Sequence, residues 1–275
     1  MLREDTVPVG HPTPMLEAIA SGRSIYGATT GFGPLVSFAG REQTANQCDN
    51  TLAHLTTGHG VELEPAIVRA ALLARLWSLA RGRSGVSVPV VEGLAAMFRT
   101  EFAPAVPAVG PVGASGDLVP LAHAAQALRG IGFAYVGQTR MSAGEALRRA
   151  GLVRLELDGR DALAVVNGTP LTAAVAGLAL ASIRRSLVVA QVLSAVMADV
   201  LGCELGYLSA DLLTVYGHRH AASVAERMRA SLGGATPSGN RGMQEPYSIR
   251  CVPQLLGAAA GAIDHVSAVV TADLN

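Results

Sequence analysis

The sequence predicts a mainly α-helical protein made of two domains. Half of the 275 residues are hydrophobic, whereas only 4% are aromatic, and glycine and alanine are abundant. Closely packed helices use such small side chains, whereas sheets favour β-branched and aromatic residues. Long segments also repeat their apolar residues at the spacing of one helix face. A chain of this length is large enough for one large core or two modest ones.

Helical patterns alternate with glycine- and proline-rich stretches along the chain. A short lead-in over 1–23 precedes a glycine-rich loop that starts at Tyr26, and residues 152–166 form a poorer helix with β-like pieces. Pro65 suits the first position of a helix and Gly82 suits a stop. Helices are predicted over these segments: 41–57, 65–81, 89–100, from about 118, 169–201 and 252–274.

The segment from Leu171 to Leu201 is the longest apolar region, interrupted by Arg184, Arg185 and Asp199. Its uninterrupted apolar pieces are shorter than the roughly 20 residues that a membrane span requires. We therefore expect no membrane span here but a buried helix at the centre of a bundle. The predicted domains are an N-terminal domain over 1–168 and the first part of a long antiparallel helical bundle over 169–275.

Composition excludes several classes of protein. The formal net charge is zero, so nothing in the charge balance favours nucleic acid as a partner. All basic residues are arginine, and a chain without lysine can neither hold pyridoxal phosphate as a Schiff base nor form a Walker A loop. Cys48, Cys203 and Cys251 are too widely separated for a disulfide framework or a metal pair. We expect a cytoplasmic protein with no metal.

The tripeptide Ala114-Ser115-Gly116 is a candidate source of an electrophile. Glycine after serine permits unusual backbone conformations, so a bent tripeptide can bring the Gly116 nitrogen onto the Ala114 carbonyl carbon. Cyclisation with loss of water, including the Ser115 hydroxyl, gives 4-methylidene-imidazol-5-one. This group is an electron-poor alkene that needs neither lysine nor an added cofactor. Taken alone, the tripeptide is equally typical of an ordinary loop before a helix.

Other polar residues are ambiguous when each is taken alone. Tyr26 is a candidate mobile base in its glycine-rich loop, and Arg250 is a candidate bidentate clamp for a carboxylate. Tyrosine more often packs, and arginine more often lies on the surface. Asn167 also heads a glycosylation sequon, although nothing indicates secretion. His218 and His220 lack metal-ligand spacing, so we expect a solvated or structural role for them.

Four motifs follow one another along the chain. They are Tyr26-Gly-Ala-Thr-Thr-Gly-Phe-Gly33, Gly113-Ala-Ser-Gly-Asp-Leu-Val-Pro-Leu-Ala-His123, Asp161-Ala-Leu-Ala-Val-Val-Asn-Gly-Thr169 and Pro246-Tyr-Ser-Ile-Arg-Cys-Val-Pro-Gln254. In this order they resemble the aromatic amino acid ammonia-lyase family, which includes histidine, phenylalanine and tyrosine ammonia-lyases and the related 2,3-aminomutases. The resemblance runs from about residue 15 to the end of the chain and covers about the first half of a typical family chain. It implies an ammonia-lyase/fumarase-like helical fold.

The resemblance implies roles for the residues of the first two motifs. Ala114, Ser115 and Gly116 match the tripeptide that becomes the methylidene-imidazolone group. Tyr26 matches the base that removes the β-proton of the substrate. The implied reaction releases ammonia and leaves a trans double bond.

The same resemblance implies a binding site for the substrate amino and carboxylate groups. Asn167, Tyr247 and Arg250 match residues that support the electrophile and bind these two groups. Gln244 matches a neighbouring polar position, and Gly33 matches a substrate-binding position at the end of the glycine-rich loop.

Substrate choice depends on the dipeptide His54-Leu55, which occupies the family's ring-recognition position. Tyrosine lyases tend to have His-Leu there, phenylalanine enzymes Phe-Leu and histidine enzymes Ser-His. A histidine nitrogen can pair with a phenol hydroxyl, and a site built for that bond rejects the analogue that lacks it. The dipeptide therefore predicts L-tyrosine as substrate and trans-4-hydroxycinnamate as product. The alternative is that His54 is a core histidine.

The chain also departs from the family pattern. Pro111 stands where the family usually has Ser or Thr, and Glu245 stands where Asp is more usual. The family's later segments are missing, and the family builds each site from more than one subunit of a tetramer. We therefore expect a tetramer-like homo-oligomer or a second polypeptide that supplies the C-terminal half. A 2,3-aminomutase, a histidine or phenylalanine ammonia-lyase, and a non-catalytic truncated fragment or assembly partner are the alternatives.

Overall fold

The structure, a computed structural model, describes residues 17, 20–40, 43–110, 113 and 115–274. It is 60% helix and 9% strand, which confirms the prediction of a mainly helical protein. The chain divides into two compact units, residues 1–175 with 274–275, and residues 176–273. The domain boundary predicted after residue 168 stays a prediction.

The first unit contains short and medium helices with two small sheets. The helices are α1 (Thr44–Leu55), α2 (Pro65–Ala80), α3 (Val88–Met97), α4 (Leu118–Leu128), α5 (Ala143–Ala150), α6 (Asp161–Val166) and the beginning of α7 (Pro170–Val200). The strands are β1 (His59–Glu62), β2 (Phe102–Pro104), β3 (Pro107–Val109), β4 (Phe133–Val136) and β5 (Thr139–Ser142). The core of this unit is formed by the apolar faces of α1 to α6, with Phe102 of β2 fully buried.

The two sheets were not predicted from the sequence. Strand β1 pairs antiparallel with β3, and β2, β4 and β5 form an antiparallel sheet in that order. Each strand has only three or four residues, which is too short for an alternating pattern to stand out. The sheets therefore add a small β component to the predicted helical fold.

The predicted helix boundaries agree best where capping residues mark them. Pro65 is the first residue of α2, and Gly82, with φ +68°, follows its end. Over 152–166 only α6 is helical, so the β-like pieces predicted there are wrong. Leu155 and Leu157 are buried in an irregular stretch, which explains the alternating pattern.

Among the described residues of the second unit, all regular secondary structure is helical. It contains most of α7, a 3₁₀ turn at Leu205–Leu208, α8 (Ala210–Tyr216), α9 (Arg219–Ser231), α10 (Tyr247–Arg250) and α11 (Val252–Leu274). Its core is small and consists of these residues: Ala195, Ala198, Cys203, Leu208, Leu213, Val224, Ala225, Met228, Leu232, Ile249 and Val252.

Helices α7 and α11 expose most of their apolar side chains. Val188, Leu193 and Val200 of α7 are all exposed, so the expectation of a buried helix is wrong within this single chain. Among the described residues, these two helices are long and apolar enough to cross a membrane by length and composition alone. Core helices of bundles have the same composition, and the absence of a membrane span stays a prediction.

Candidate active site

The glycine-rich loop closes on itself through the side chain of Tyr26. The Gly33 N–H donates a hydrogen bond to the Tyr26 hydroxyl oxygen at 2.8 Å, and the tyrosine residue is 44% exposed. A second local bond runs from the Ile25 N–H to the Thr29 hydroxyl oxygen at 2.7 Å. The structure thus brings two predicted site residues, Tyr26 and Gly33, into direct contact. The phenol oxygen is the acceptor in this bond, so its own proton is not used in it.

Helix α6 packs against this glycine-rich loop. Gly27 has φ +73°, and a Cβ at this position would lie 2.3 Å from Cδ2 of Leu163 in α6. Only glycine combines this backbone conformation with so close an approach. Arg160, immediately before α6, donates from Nε to the Tyr26 carbonyl oxygen at 3.4 Å. The position of Tyr26 therefore depends on α6.

Ser115 and Gly116, the described residues of the tripeptide that resembles the electrophile source, lie in a tight turn. Ala114 and Pro111 lie outside the described residues. The Gly116 N–H donates to the Gly113 carbonyl oxygen at 2.9 Å. Gly116 has φ +87°, and a Cβ there would lie 2.2 Å from the Gly168 carbonyl oxygen. Both the conformation and the contact require glycine at position 116.

The turn pairs with the residue that follows Asn167. The Gly168 N–H donates to the Ser115 carbonyl oxygen at 3.3 Å, and the Asp117 N–H donates to the Gly168 carbonyl oxygen at 2.8 Å. Asn167 is the C-cap of α6, and its side chain is exposed. The structure therefore brings together Ser115, Gly116 and Asn167, which the motifs place 51 or 52 residues apart in sequence.

Asp117 connects the same turn to the start of α7 through hydrogen bonds. Its carboxylate is buried and accepts hydrogen bonds from the Leu171 N–H at 2.8 Å, the Thr172 N–H at 3.0 Å and the Thr172 hydroxyl at 2.7 Å. A carboxylate in this position satisfies free amides in the first turn of a helix and interacts favourably with its dipole. Asp117 is not among the predicted site residues, although it lies inside the second motif.

Helix α6 is held at both ends by buried side chains. At its N-terminus the Asp161 carboxylate accepts from the Ser87 N–H at 2.7 Å and the Ser87 hydroxyl at 2.8 Å, and burial raises the pKa of this carboxyl. At its C-terminus Arg75 donates from Nε to the Val165 carbonyl oxygen at 3.0 Å and from Nη2 to the Ala164 carbonyl oxygen. The sequence signal for Arg75 is an arginine within an apolar helix.

Burial also affects the charge state of Arg75. The residue is 6% exposed, and burial lowers the pKa of its guanidinium to about 10. The group stays charged at neutral pH because this value lies well above 7. A positive charge at the C-terminus of α6 is favourable for the helix dipole.

The dipeptide proposed for ring recognition has one exposed and one buried member. His54 is exposed, so the alternative of a core histidine is wrong, and its ring meets Phe32 edge-on at 6.3 Å between centroids. Leu55 packs into the core of the first unit. Three residues further on, the Gly58 N–H donates to Nε2 of His123 at 3.0 Å, and burial lowers the pKa of His123.

A second group of predicted site residues lies together in the second unit. Nη1 of Arg250 donates to Oε1 of Gln244 at 2.7 Å, and the Arg250 guanidinium lies 4.4 Å from the centre of the Tyr247 ring. Tyr247 is 73% exposed. Amide, guanidinium and phenol groups in such contact are suited to binding a carboxylate through charge-assisted hydrogen bonds.

Glu245 lies beside this second group but points into the protein. Its side chain is only 3% exposed and pairs with Arg241 at 2.6 Å between Nη2 and Oε2. The Glu204 N–H donates to the same carboxylate at 3.1 Å. The Arg241 guanidinium holds the pKa of Glu245 well below its usual range, at about 2. In the sequence, Glu245 stands out only as a departure from the usual Asp.

The remaining polar candidates form no metal site in the part of the chain that the structure describes, where no group of three or more His, Cys, Asp or Glu residues converges. The His218 ring packs against Tyr216 with centroids 4.3 Å apart. Nδ1 of His220 lies 3.7 Å from the Asp264 carboxylate.

The fold and the four motifs are those of a family of helical carbon–nitrogen lyases. The family model described as "Aromatic amino acid lyase" matches residues 13–275. The chain belongs to this aromatic amino acid lyase family. It is 36% identical over 263 residues to a histidine ammonia-lyase of Geobacillus kaustophilus. The matched region covers 94% of this chain and 52% of that protein. A tyrosine ammonia-lyase of Cereibacter sphaeroides is 37% identical over 276 residues, which cover 94% of this chain and 53% of that protein.

Solved structures give the same result for the fold. A phenylalanine aminomutase of Pantoea agglomerans superposes with a TM-score of 0.90 at 25% identity, and the match covers 100% of this chain and 57% of the other. A histidine ammonia-lyase of Trypanosoma cruzi superposes with a TM-score of 0.85 at 26% identity, and the match covers 96% of this chain and 49% of the other. The predicted ammonia-lyase fold is thus confirmed. The chain spans about half the length of the relatives it matches.

Proposed function

We propose that this chain carries the electrophile of an aromatic amino acid ammonia-lyase that converts L-tyrosine into trans-4-hydroxycinnamate and ammonia. The observation that carries the proposal is the turn from Gly113 to Gly116 and its pairing with Gly168. A glycine with positive φ, in contact with the residue after Asn167, stands directly after the serine of the tripeptide. Both partners of this pairing lie in motifs that resemble those of the aromatic amino acid lyases.

The turn fits a methylidene-imidazolone group. Joining the Gly116 nitrogen to the Ala114 carbonyl carbon releases one water, made of the carbonyl oxygen and the amide hydrogens of Ser115 and Gly116. The second water is the Ser115 hydroxyl with its α-hydrogen. Glycine at position 116 leaves no Cβ to obstruct the approach of its nitrogen to a carbonyl carbon. When formed, the group supplies the electron-poor alkene that activates the amino acid.

The side chains of the chain then have separate tasks. Tyr26, exposed and held by the Gly33 amide, takes the β-proton of the substrate. Arg250, oriented by Gln244, binds the substrate carboxylate, and Tyr247 lies beside it. Asn167 supports the electrophile from the end of α6.

The choice of tyrosine rests on His54. An exposed imidazole at the ring-recognition position offers a hydrogen bond to the phenol hydroxyl of the substrate. The relatives support the coarser assignment to ammonia-lyases, and both histidine and tyrosine ammonia-lyases are among them. Histidine ammonia-lyase activity is the second candidate for this reason. None of these relatives supports a non-catalytic fragment or a second polypeptide that completes the chain.

The first test is the intact mass of the purified chain. We expect a deficit of two water molecules that Ser115→Ala abolishes, and turnover of L-tyrosine in preference to L-histidine and L-phenylalanine. His54→Phe should lower kcat/KM for L-tyrosine relative to L-phenylalanine by about tenfold or more, because a lost bond to the phenol removes discrimination. An unmodified mass together with no turnover would overturn the proposal. Conversion of L-tyrosine to its β-isomer would instead identify a 2,3-aminomutase.

We also propose a homo-oligomer in the cytoplasm. The support for self-association is the exposed apolar face of α7 and α11, since large exposed apolar patches mark interaction surfaces. The support for the cytoplasm is the set of free cysteines Cys48, Cys203 and Cys251. Light scattering at several concentrations tests the first point: a monomer at all concentrations would contradict it. Fractionation of the source cells tests the second.

A further inference from the structure

The segment from Arg241 to Arg250 carries three of the proposed substrate-binding side chains on ten residues. Only its last four residues, in α10, are regular structure, and a single turn of helix is not stable by itself. Gln244 precedes that turn and is exposed, yet it must hold still to orient Arg250 at 2.7 Å. Contacts other than this single turn have to fix it.

The fixed point is the neighbouring carboxylate of Glu245. Arg241 Nε lies 3.1 Å from Oε1 and 3.2 Å from Oε2, and Arg241 Nη2 lies 2.6 Å from Oε2. The Glu204 N–H reaches Oε1 at 3.1 Å from just beyond the end of α7. A hydrogen bond with the Cys203 thiol adds to these contacts. A buried carboxylate with this many donors is held in one orientation.

A second contact joins the same two segments. The Ser238 N–H donates to the Gly202 carbonyl oxygen at 3.0 Å. The stretch before α10 is therefore hydrogen-bonded to the residues just after α7 at two points, Ser238 and Glu245. Glu245 is immediately next to Gln244 in sequence. Glu245 is buried, whereas Gln244 next to it is exposed, so holding the Glu245 side chain in place also restrains the main chain that carries Gln244.

We propose that Glu245, together with Arg241, is a positioning residue that fixes Gln244 and Arg250 for recognition of the substrate carboxylate. This inference rests on the proposed function of Arg250. Glu245 does not itself touch the substrate: it is buried, and its partners are Arg241, Cys203 and the Glu204 amide. Its effect reaches the substrate through the main chain at position 244.

The length of the side chain at position 245 matters for this role. An aspartate would draw the carboxylate back by about 1.5 Å, one carbon–carbon bond. It would then lose either the Arg241 pair or the Glu204 amide unless the loop moved with it. Glu245→Asp therefore tests reach at constant charge, and Glu245→Gln tests charge at constant shape.

The chain provides a matched control in the first unit. Glu62 pairs with Arg140 in the same fork geometry, with Nε at 3.0 Å from both carboxylate oxygens and Nη2 at 2.8 Å from Oε1. That pair lies between β1 and β5 and carries none of the proposed site residues. Glu62→Gln thus measures what the loss of an arginine–glutamate fork does in general.

The experiment measures steady-state kinetics with L-tyrosine for the full chain and the variants. We expect Glu245→Gln and Arg241→Met each to raise KM about tenfold while kcat changes much less, because binding of the carboxylate is disturbed. The double variant should be no worse than either single one, since both remove the same pair. Glu62→Gln should leave KM within twofold. A KM within twofold for Glu245→Gln, or an equal rise for Glu62→Gln, would overturn the inference.

Hydrogen–deuterium exchange separates this inference from the proposed function. Glu245→Gln should increase exchange of the amides over 241–251, whereas Glu62→Gln should not. If the unaltered chain turns over no amino acid, the proposed function fails, and the exchange result still decides whether Glu245 fixes the segment. Unchanged exchange in Glu245→Gln would show that the segment is held by other contacts and would end the positioning role.

Discussion

Replacement of Asp117 by alanine should destabilise the first unit measurably without touching its hydrophobic core. The carboxylate is 1% exposed and satisfies two main-chain amides and one hydroxyl at the start of α7. The Leu171 amide is partly buried, and loss of its charge-assisted bond costs about 1.5–3 kcal/mol. Thr172 is exposed, so water replaces its two bonds at a cost of about 0.5 kcal/mol.

The free energy of unfolding should therefore fall by about 2–3.5 kcal/mol in Asp117→Ala. Asp117→Asn keeps one acceptor oxygen and should lose about 1 kcal/mol. Urea unfolding followed by circular dichroism measures both values. The matched control is Asp49→Ala, which removes an exposed ion pair with Arg129 and should change stability by less than about 1 kcal/mol.

A free energy of unfolding for Asp117→Ala within about 0.5 kcal/mol of that of the unaltered chain would refute this prediction. It would show that the carboxylate does not cap α7 as the structure describes. If Asp117→Ala and Asp49→Ala lose the same amount, the effect is one of charge alone, and the specific hydrogen bonds are not responsible.

Three further predictions concern the supports of the site. Arg75→Met should lower the free energy of unfolding by about 2–4 kcal/mol, because it leaves two buried carbonyl oxygens at the end of α6 without a donor; an unchanged urea midpoint would contradict this. Gly27→Ala should lower the melting temperature more than Gly22→Ala, because both have positive φ but only Gly27 meets Leu163; equal shifts in calorimetry would exclude the contact as the cause. His123 accepts from the Gly58 amide as a neutral ring, and burial lowers its pKa from the usual 6.5. Its contribution should be complete above pH 6.5 and decline as the pH falls towards the lowered value, because the unfolded chain then binds more protons. A pH series of unfolding with His123→Gln as reference measures this decline, and parallel curves would argue against it.

Sequence reasoning succeeded where the signal is local or lies in a motif. Helix α2 was delimited by Pro65 and Gly82, and the apolar length of α7 and α11 made both helices plain. The motifs also selected residues that the structure brings into contact, as with Tyr26 and Gly33. Such patterns depend only on neighbouring residues.

Arg75 and Asp117, which hold α6 and the turn before α4 in place, could not be predicted in the same way. Arg75 reaches carbonyl groups about 90 residues away, and Asp117 reaches amides about 55 residues away. The spacing of residues along the chain does not reveal a hydrogen bond between distant segments. The sequence also does not distinguish a buried arginine from an exposed one. The burial of α7 was wrongly expected for a related reason: an apolar pattern predicts that a helix needs a partner, but not where that partner is.

The amide of Gly116 has two uses that exclude each other. In the structure its hydrogen is engaged with the Gly113 carbonyl oxygen, which closes the turn. In the proposed ring formation the same nitrogen is the nucleophile and gives up that hydrogen, so the proposed reaction removes the hydrogen bond that closes the turn. A loop that has formed the ring could not return to its earlier conformation, because the hydrogen of that bond is lost. The pairing of Ser115 and Asp117 with Gly168 must hold the loop from that moment on.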